Sequence, residues 1–330
     1  MRERTVTMRR CARPHSGLRL AALARSAQIA TMIFGIWCCG PAGAATLVVG
    51  KGQPYRTPAE AAKAARAGDT VRIEAGDYRS CAVWLADNLT IWGLGSGPRL
   101  TGTLCQGKAI FVVRGSGVTI QNVTFEGARS ADGNGAGIRA EGNSLAVDHS
   151  VFRDNQDGIL TDDDPRQVLV VRNSSFEGNG ACAAGGCAHA IYAGHIALLR
   201  VERSRFIGTR LGHCIKSRAR RTEITGDRIM DGAGGTASYL VDIPNGGTLI
   251  MTGNVLEKGP KSENHLTAIS IGEEGELQPT EEILIRDNVF SNDGPPSIFV
   301  RNSAPAFAQL AGNTIKGNAV TPLVGSGTVR

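Results

Sequence analysis

The sequence lacks long stretches with the 3.6-residue periodicity of an amphipathic helix, which argues against an architecture of helical repeats. Glycine, in contrast, is abundant and accounts for 43 of the 330 residues. Gly, Asn and Asp recur between short apolar segments, a pattern typical of short strands divided by turns. The sequence therefore favours an all-β fold.

The chain also lacks a hydrophobic run long enough for a stable membrane span. Its apolar run at 29–37 follows a basic head and precedes Ala42-Gly43-Ala44, which has the small-residue form of a signal-peptide cleavage site. We therefore expect residues 1–44 to be a signal peptide and residues 45–330 to be a single periplasmic or secreted domain. Export to either location permits disulfides.

Residues 45–330 carry no formal net charge. Seven of the 36 Lys and Arg residues lie before residue 45, whereas Glu3 is the only one of the 30 acidic residues there. The basic balance of the whole chain therefore belongs to the leader, and it does not indicate a nucleic-acid partner. We expect a monomer that has no membrane partner after cleavage.

A short pattern recurs along the domain: an apolar residue, several polar residues, and a large apolar residue five positions later. The copies are separated by 23 to 34 residues. Their first residues are Ile91, Ile120, Val147, Val171, Val201, Ile224, Met251, Ile285 and Leu310. A repeat of this length is typical of a solenoid, in which each unit buries its apolar face against the next.

A second short apolar strand follows nearly every copy, so the sequence predicts a parallel β-helix of about nine stacked coils. Asn254, Asn288 and Asn313 occupy one position of the repeat, where their amides are expected to hydrogen-bond along the axis. At the N-terminal end, Pro58 to Ala67 reads as a short helix with Thr57 as its N-cap. This helix is expected to cover the exposed end of the stack.

Five cysteines lie after the predicted signal peptide, within residues 45–330. Cys81 and Cys105 are 24 positions apart, about one coil, which places them within disulfide reach in a stacked fold. Cys182 and Cys187 are expected to close a small loop, and Cys214 is interpreted as a small buried side chain.

Gly68-Asp69-Thr70-Val71 and the following Gly76-Asp77-Tyr78 resemble the opening of exported proteins of the pectin-lyase-like superfamily of right-handed parallel β-helices. The resemblance covers nearly all of residues 45–330 and implies the fold. It implies no single activity, because the superfamily includes lyases, hydrolases, epimerases, esterases and non-enzymatic adhesins.

The second strands can be aligned by their inward apolar residue. The alignment places Tyr192 beside Lys216 and His189 beside His213, each pair 24 positions apart. It also places Val241 beside Lys216 and Ser238 beside His213. Arg218 follows on the same outward face as Lys216. Further cations close by in sequence predict a positive patch for an acidic ligand: Arg205, Arg210, Arg220 and Arg221.

This residue set suits β-elimination on an acidic, uronate-containing polysaccharide. Removal of the proton beside a carboxylate builds charge that Arg218 would neutralise. Lys216 or His213 is the candidate base, Tyr192 the candidate acid, and His189 an orienting group or alternate base. C5 epimerisation begins with the same step, so it stays an alternative.

Two further alternatives remain. A glycoside hydrolase would use paired carboxylates, for which Asp162, Asp242 and Glu273 are candidates. A non-catalytic glycan-binding or structural solenoid is the other. No cofactor is predicted; the acidic run at 162–164 is interpreted as a solvated turn, with a Ca²⁺ site as the alternative.

Several segments resemble a group of exported bacterial β-helix proteins: His189 to Gly194, Gly212 to Ala219, Gly235 to Tyr239, Asp242 to Gly247 and Gly272 to Gly275. The resemblance implies that these segments form one site. We expect substrate contacts from His195, Asp242, Asn245 and Glu273. Insertions near Cys182–Cys187 and Glu273–Glu282 are expected to wall a groove over it.

Overall fold

The computed structural model describes residues 43–183 and 186–330. The predicted signal peptide lies almost entirely outside the described residues. In chain order the elements are β1 (Thr46–Val49), α1 (Pro58–Ala64), β2 (Thr70–Ile73), β3 (Gly76–Tyr78), β4 (Ala82–Trp84), β5 (Thr90–Gly93), β6 (Pro98–Thr101), β7 (Ala109–Val113), β8 (Val118–Gln121), β9 (Thr124–Glu126), β10 (Ala136–Ala140), β11 (Ser144–Asp148), β12 (Val151–Arg153), β13 (Asp157–Thr161), β14 (Val168–Arg172), β15 (Ser175–Glu177), β16 (Ala181–Ala183), β17 (Gly186–Ala188), β18 (Ile191–Ala193), β19 (Leu198–Glu202), β20 (Arg205–Ile207), β21 (His213–Ser217), β22 (Arg221–Thr225), β23 (Arg228–Met230), β24 (Tyr239–Ile243), β25 (Thr248–Thr252), β26 (Val255–Lys258), β27 (Thr267–Ile271), β28 (Ile283–Arg286), β29 (Val289–Asn292), β30 (Ser297–Asn302), β31 (Ala308–Ala311), β32 (Thr314–Gly317), β33 (Val320–Gly325) and β34 (Gly327–Val329).

All of these strands except β16 and β17, which form a separate antiparallel pair, lie in three parallel sheets that the chain visits in turn. Sheet A has twelve strands, in the order β1-β2-β5-β8-β11-β14-β19-β22-β25-β28-β31-β34. Sheet B has ten, in the order β3-β6-β9-β12-β15-β20-β23-β26-β29-β32. Sheet C has ten, in the order β4-β7-β10-β13-β18-β21-β24-β27-β30-β33. A β-helix is therefore confirmed.

The prediction of about nine coils was too low. Sheets B and C each hold ten strands, and sheet A holds twelve, because the stack extends past the recognisable repeats at both ends. Strand β1 precedes them, and β34 follows the last one. Terminal coils bury one face only, so their sequences need not follow the apolar pattern of the interior.

The apolar positions of the repeat form the core. Phe125, Phe152, Phe176 and Phe206 occupy equivalent places in successive coils, and their rings stack with centroids 5.1, 4.7 and 4.6 Å apart. All four are fully buried. Each strand is too short to bury its own apolar face, and the column of like residues supplies the partner surface.

The predicted asparagine column is confirmed. Asn254 Nδ2 donates to Asn288 Oδ1 at 2.8 Å, and Asn288 Nδ2 donates to Asn313 Oδ1 at 2.9 Å. The ladder lies at the turn from sheet A to sheet B, where it satisfies buried polar groups in the direction of the axis.

The capping helix is also present, although it ends at Ala64 rather than Ala67. Thr57 is its N-cap and accepts the Glu60 N–H through Oγ1 at 3.3 Å. The helix packs against β4, the edge strand of sheet C. It thereby covers backbone groups that no further strand would pair.

Both predicted disulfides are formed. Cys81 and Cys105 are joined with their Cα atoms 5.4 Å apart, and Cys182 is joined to Cys187 across the β16–β17 hairpin. Cys214 is fully buried, and its burial raises the pKa of the thiol, as expected for a core residue.

Candidate functional site

The candidate site lies on the outward face of sheet C, where Tyr192, Lys216 and Asp242 occupy adjacent rungs. Tyr192 beside Lys216 is the neighbour relation that the repeat predicts. Asp242 beside Lys216 corrects the sequence alignment, which had placed Val241 there. Val241 instead pairs with Ile215 in the inward column. A register error of one residue moves every side chain to the opposite face of a strand.

The same one-residue correction applies at the start of β24, three residues before Asp242. His213 pairs with Tyr239, not with Ser238. The cause is local: Leu240, Val241 and Ile243 are all fully buried, so the strand shows no clean alternation from which its register can be read. Sequence reasoning consequently did not predict Tyr239 as the neighbour of His213, and it placed Asp242 among the substrate contacts and not beside Lys216.

Lys216 and Arg218 hold a carboxylate between them. Lys216 Nζ donates to Glu274 Oε1 at 3.0 Å, and Arg218 Nη2 lies 2.7 Å from Glu274 Oε2. Although burial disfavours the charged form of Glu274, these two cations hold its pKa below the usual range. We call Lys216 and Arg218 the carboxylate clamp. Glu274 lies in the Gly272 to Gly275 segment that was expected to join the site, but no role was predicted for it, because it lies on a loop outside the repeat.

Arg218 also orders the groups around it. Its Nε donates to Tyr192 Oη at 3.0 Å, and its Nη1 donates to Asn245 Oδ1. Asn245 is buried beneath the loop that carries Glu274. One planar guanidinium thus connects the phenol, the buried amide and the bound carboxylate, a geometry that a lysine does not provide.

Asp242 is the buried acid of the site, with 3% of its surface exposed. Its Oδ2 lies 3.4 Å from Lys216 Nζ and 3.3 Å from His213 Nε2, and Oδ1 has no partner among the described residues. Burial raises the pKa of Asp242 to about 6, against the opposing effect of Lys216. Asp242 can therefore exchange a proton near neutral pH.

The two histidines are members of a hydrogen-bonded column. Each bond joins a backbone amide to a side chain of the preceding coil. Asp157 Oδ1 accepts the backbone N–H of His189 at 2.7 Å, His189 Nδ1 accepts that of His213 at 2.9 Å, and His213 Nδ1 accepts that of Tyr239 at 3.1 Å. The imidazoles stack with centroids 4.7 Å apart, and Tyr239 stacks on His213 at 5.0 Å.

This column determines the tautomer and the protonation state of both imidazole rings. Each Nδ1 lone pair accepts an amide proton, so the neutral ring carries its own proton on Nε2. Burial and the nearby Lys216 lower the pKa of His213 to about 3, and burial lowers that of His189 well below its ordinary value. Neither ring keeps a lone pair for a base role, and His213 can only donate.

Glu273 contacts the edge of the site instead of the clamp. Its Oε2 accepts hydrogen bonds from Tyr239 Oη at 2.6 Å and from Ser270 Oγ at 3.0 Å. Burial and the bond to Glu273 raise the pKa of Tyr239, so this phenol stays protonated.

A cavity of about 500 Å³ opens beside the clamp, lined by Cys187, His189, Gly212, His213, Lys216, Ser238, Glu263 and Asn264. Cys187 belongs to the disulfide-closed hairpin, so this insertion does wall the groove as expected. The other insertion, at Glu273–Glu282 between sheets C and A, does not line this cavity; its Glu274 contacts the clamp instead. Glu263 and Asn264, between β26 and β27, also line the cavity, and sequence reasoning missed both.

A second cavity of about 270 Å³ lies on the N-terminal side of Tyr192, lined by Asn134, Arg139, Leu160, Thr161, Asp162, Asp163, Tyr192 and Gly194. Asp162 pairs with Arg139 at 2.6 Å, and Asp163 pairs with His195 Nδ1 at 3.1 Å. His195 therefore contacts an acid that lines this cavity, and it does not contact the clamp.

The remaining acid of the 162–164 run, Asp164, pairs with Arg166.

Among the residues that the structure describes, no group of three His, Cys, Asp or Glu side chains is arranged to hold a metal ion. No helix within residues 43–183 and 186–330 is both long and apolar enough to span a membrane.

The predicted positive patch is wrong for the arginines outside sheet C. Arg205 lies on sheet B, whereas Arg221 lies on sheet A and pairs with Glu223 at 2.5 Å. Arg210 pairs with Asp154 at 2.6 Å. The coil turns through three faces within about two dozen residues, so closeness in sequence does not bring these side chains together.

We expect an unusual pH dependence of the free energy of unfolding, because Asp157 is buried at the base of the histidine column. It is fully buried, its Oδ2 has no partner among the described residues, and burial raises its pKa to about 7. The folded state therefore keeps a proton that the unfolded chain releases, and stability falls as pH rises from about 4 to about 7. Asp157→Asn is expected to raise Tm at pH 8 and to change it little at pH 4.

Thermal unfolding of both proteins across this range is the measurement, and Asp287→Asn at an exposed turn is the matched control. The asparagine retains an oxygen for the His189 N–H. An equal Tm difference between variant and parent at both pH values would contradict the assignment of a buried, protonated Asp157.

Comparison with known proteins agrees with this architecture. Residues 87–196 match the family model described as a right handed beta helix region. The chain is similar in structure to an alginate lyase from Paenibacillus sp. str. FPU-7, with a TM-score of 0.54 and 17% identity over 86% of this chain and 99% of that one. A search of curated proteins finds no match.

Two other solved structures are similar at lower scores. A pectin methylesterase from Aspergillus niger has a TM-score of 0.45 and 12% identity over 87% of this chain and 92% of that one. The A-module of a mannuronan C-5 epimerase from Azotobacter vinelandii has a TM-score of 0.38 and 14% identity over 82% and 93%. The family match, the sheet topology and the likeness to the first structure define the class: this chain has the right-handed parallel β-helix fold.

Proposed function

We propose that the protein cleaves a uronate-containing polysaccharide by β-elimination. The observation that carries the proposal is the clamp, in which Lys216 and Arg218 bind the Glu274 carboxylate beside the Tyr192 hydroxyl. Elimination needs a neutralised carboxylate next to a base and an acid, and these groups are here within one another's reach.

In the proposed reaction the carboxylate of the sugar displaces that of Glu274 and is neutralised by Arg218, which releases Lys216 Nζ from its contact with Glu274. Lys216, as the free amine, takes the proton from C5; the C4–O4 bond breaks as the C4=C5 double bond forms; Tyr192 gives its proton to O4. The phenolate left on Tyr192 is stabilised by Arg218, and the new ammonium of Lys216 faces Asp242. Return of the proton from Lys216 to Tyr192 completes the cycle.

Asp242, His213 and Asn245 support this chemistry without touching the reacting carbons. Asp242 lies 3.4 Å from Lys216 Nζ, where its carboxylate would stabilise the ammonium that forms when Lys216 takes the C5 proton. His213 presents Nε2–H to Asp242, and Asn245 fixes the plane of Arg218. His195 and Glu273 are expected to meet sugar residues farther along the groove.

The ultraviolet absorbance of an unsaturated uronate product tests the proposal. We expect purified protein to generate this absorbance, together with reducing ends, from at least one uronate polysaccharide. An epimerase would instead change the sugar configuration without new chain ends. Glycan binding with no turnover would favour a non-catalytic solenoid.

Glycoside hydrolysis is the second candidate, because one carboxyl of the site has a raised pKa and its neighbour a lowered one. Asp242 and Glu274 form this pair, and each has a carboxylate oxygen within 3.4 Å of Lys216 Nζ. Two carboxyls driven apart in pKa are the pattern of a general acid with a general base. Reducing ends that appear without ultraviolet absorbance would select this reaction.

Glu274→Gln is expected to lower KM about two- to fivefold, because the neutral amide competes less strongly than a carboxylate for the clamp. Steady-state kinetics on a cleaved polysaccharide measure this effect, and Glu276→Gln on the same loop is the control. A rise in KM would mean that Glu274 binds the substrate itself.

We also propose that the protein is exported and cleaved after Ala44. The Ala45 N–H donates to Asp69 Oδ1 at 2.7 Å, and Asp69 is 5% exposed. Cleavage would make this nitrogen an ammonium group that pairs with the carboxylate. N-terminal sequencing of the exported protein should begin at Ala45; a start within β1 would contradict the assignment.

A further inference from the structure

The groove around the clamp has more carboxylates than cations. The two cavities and the contacts of the clamp include five acidic side chains, namely Asp162, Asp163, Asp242, Glu263 and Glu274, and three basic ones, Arg139, Lys216 and Arg218. This excess is unexpected for a protein that would bind a polymer of like charge.

All three cations already have carboxylate partners. Arg139 pairs with Asp162, and the clamp pairs with Asp242 and Glu274. Asp163 and Glu263 form no ion pair with Lys or Arg within residues 43–183 and 186–330, although Asp163 contacts His195 Nδ1 at 3.1 Å and also feels the charge of Arg218. The His195 N–H holds the pKa of Asp163 below its usual range, so this group is an anion at neutral pH.

Asp163 and Glu263 flank the clamp. Asp163 lines the cavity on the Tyr192 side, and Glu263 lines the cavity on the His213 side. The clamp can neutralise one carboxylate of a bound chain. A second carboxylate on a neighbouring sugar would enter one of the two cavities and meet an anion there, and such like-charge contacts oppose binding.

We propose that the polymer carries isolated uronate residues, each flanked along the chain by uncharged or cationic sugars. The clamp then selects the single carboxylate, while Asp163 and Glu263 reject chains in which every sugar is charged. This inference rests on the proposed lyase function and specifies its substrate class.

The test compares polymers that differ in charge density and in little else. Polymannuronate, polyguluronate, polygalacturonate and polyglucuronate are each assayed intact and after partial carboxyl reduction, which converts a fraction of the uronates to neutral sugars on the same backbone. Two further polymers are assayed: hyaluronan, in which glucuronate alternates with another sugar, and deacylated gellan, in which glucuronate is sparse. We expect elimination per uronate to rise about tenfold or more from an intact polymer to its partly reduced form.

A double variant, Asp163→Asn with Glu263→Gln, tests the residues. It should increase elimination on the intact polyuronate and leave that on the reduced polymer nearly unchanged. Glu177→Gln on sheet B is the matched control. Intact polyuronates cleaved as fast as reduced ones, or an unaltered preference in the double variant, would overturn this inference and leave the lyase function standing. No unsaturated product from any of the polymers would overturn the lyase function itself.

Discussion

Lys216→Met is expected to lower kcat/KM for elimination by about 10²- to 10⁴-fold, the usual contribution of one positioned acid or base. Methionine fills the same space against Tyr192 and has no proton-accepting nitrogen. Tyr192→Phe should cause a loss of similar size, because it removes the proton donor. Ultraviolet absorbance of the product, followed at several substrate concentrations, measures both.

The controls are Lys316→Met at the far end of sheet B and Tyr55→Phe near the capping helix. Both should retain full activity. If Lys216→Met kept more than about a tenth of the activity, Lys216 would not be the base. If the activity of Tyr192→Phe were unchanged, the acid would have to be another group.

Arg218→Gln is expected to reduce kcat/KM about 10²- to 10³-fold, the effect typical of removing one preorganised group that stabilises developing negative charge. The loss should appear in kcat as well as KM, since charge on the sugar carboxylate grows in the transition state. Arg218→Lys should recover only part of the loss, because an ammonium lacks the planar fork that reaches Tyr192, Asn245 and the carboxylate.

Arg220→Gln is the matched control, since this exposed residue lies two positions farther along the same turn. It should behave like the parent protein. A change in KM alone for Arg218→Gln would show that the guanidinium binds the ground state and the transition state equally. That result would remove Arg218 from the chemical step.

The repeat made Tyr192 and Lys216 predictable as neighbours. Both follow an inward isoleucine, and the strands are 24 residues apart, so periodicity converts directly into proximity. The same reasoning failed at Asp242. There Leu240 and Val241 both suit an inward position, and the register of β24 depends on packing that a single sequence does not reveal.

The other differences have a common physical origin. Glu274 reaches the clamp from a long loop outside the repeat, so no spacing rule locates it. The histidines do stack as the repeat predicts, but their role depends on which ring nitrogen meets which amide. These hydrogen bonds join groups that meet only in the folded coils, so the protonation of each ring cannot be predicted from the sequence alone.

A crystal structure of the Tyr192→Phe variant with a uronate oligosaccharide tests the central claim most directly. We predict a sugar carboxylate between Lys216 and Arg218, with the Glu274 side chain displaced from the clamp. An oligosaccharide bound elsewhere, for example in the 790 Å³ cavity lined by Lys51, Arg56 and Arg79, with Glu274 still on the clamp, would contradict it.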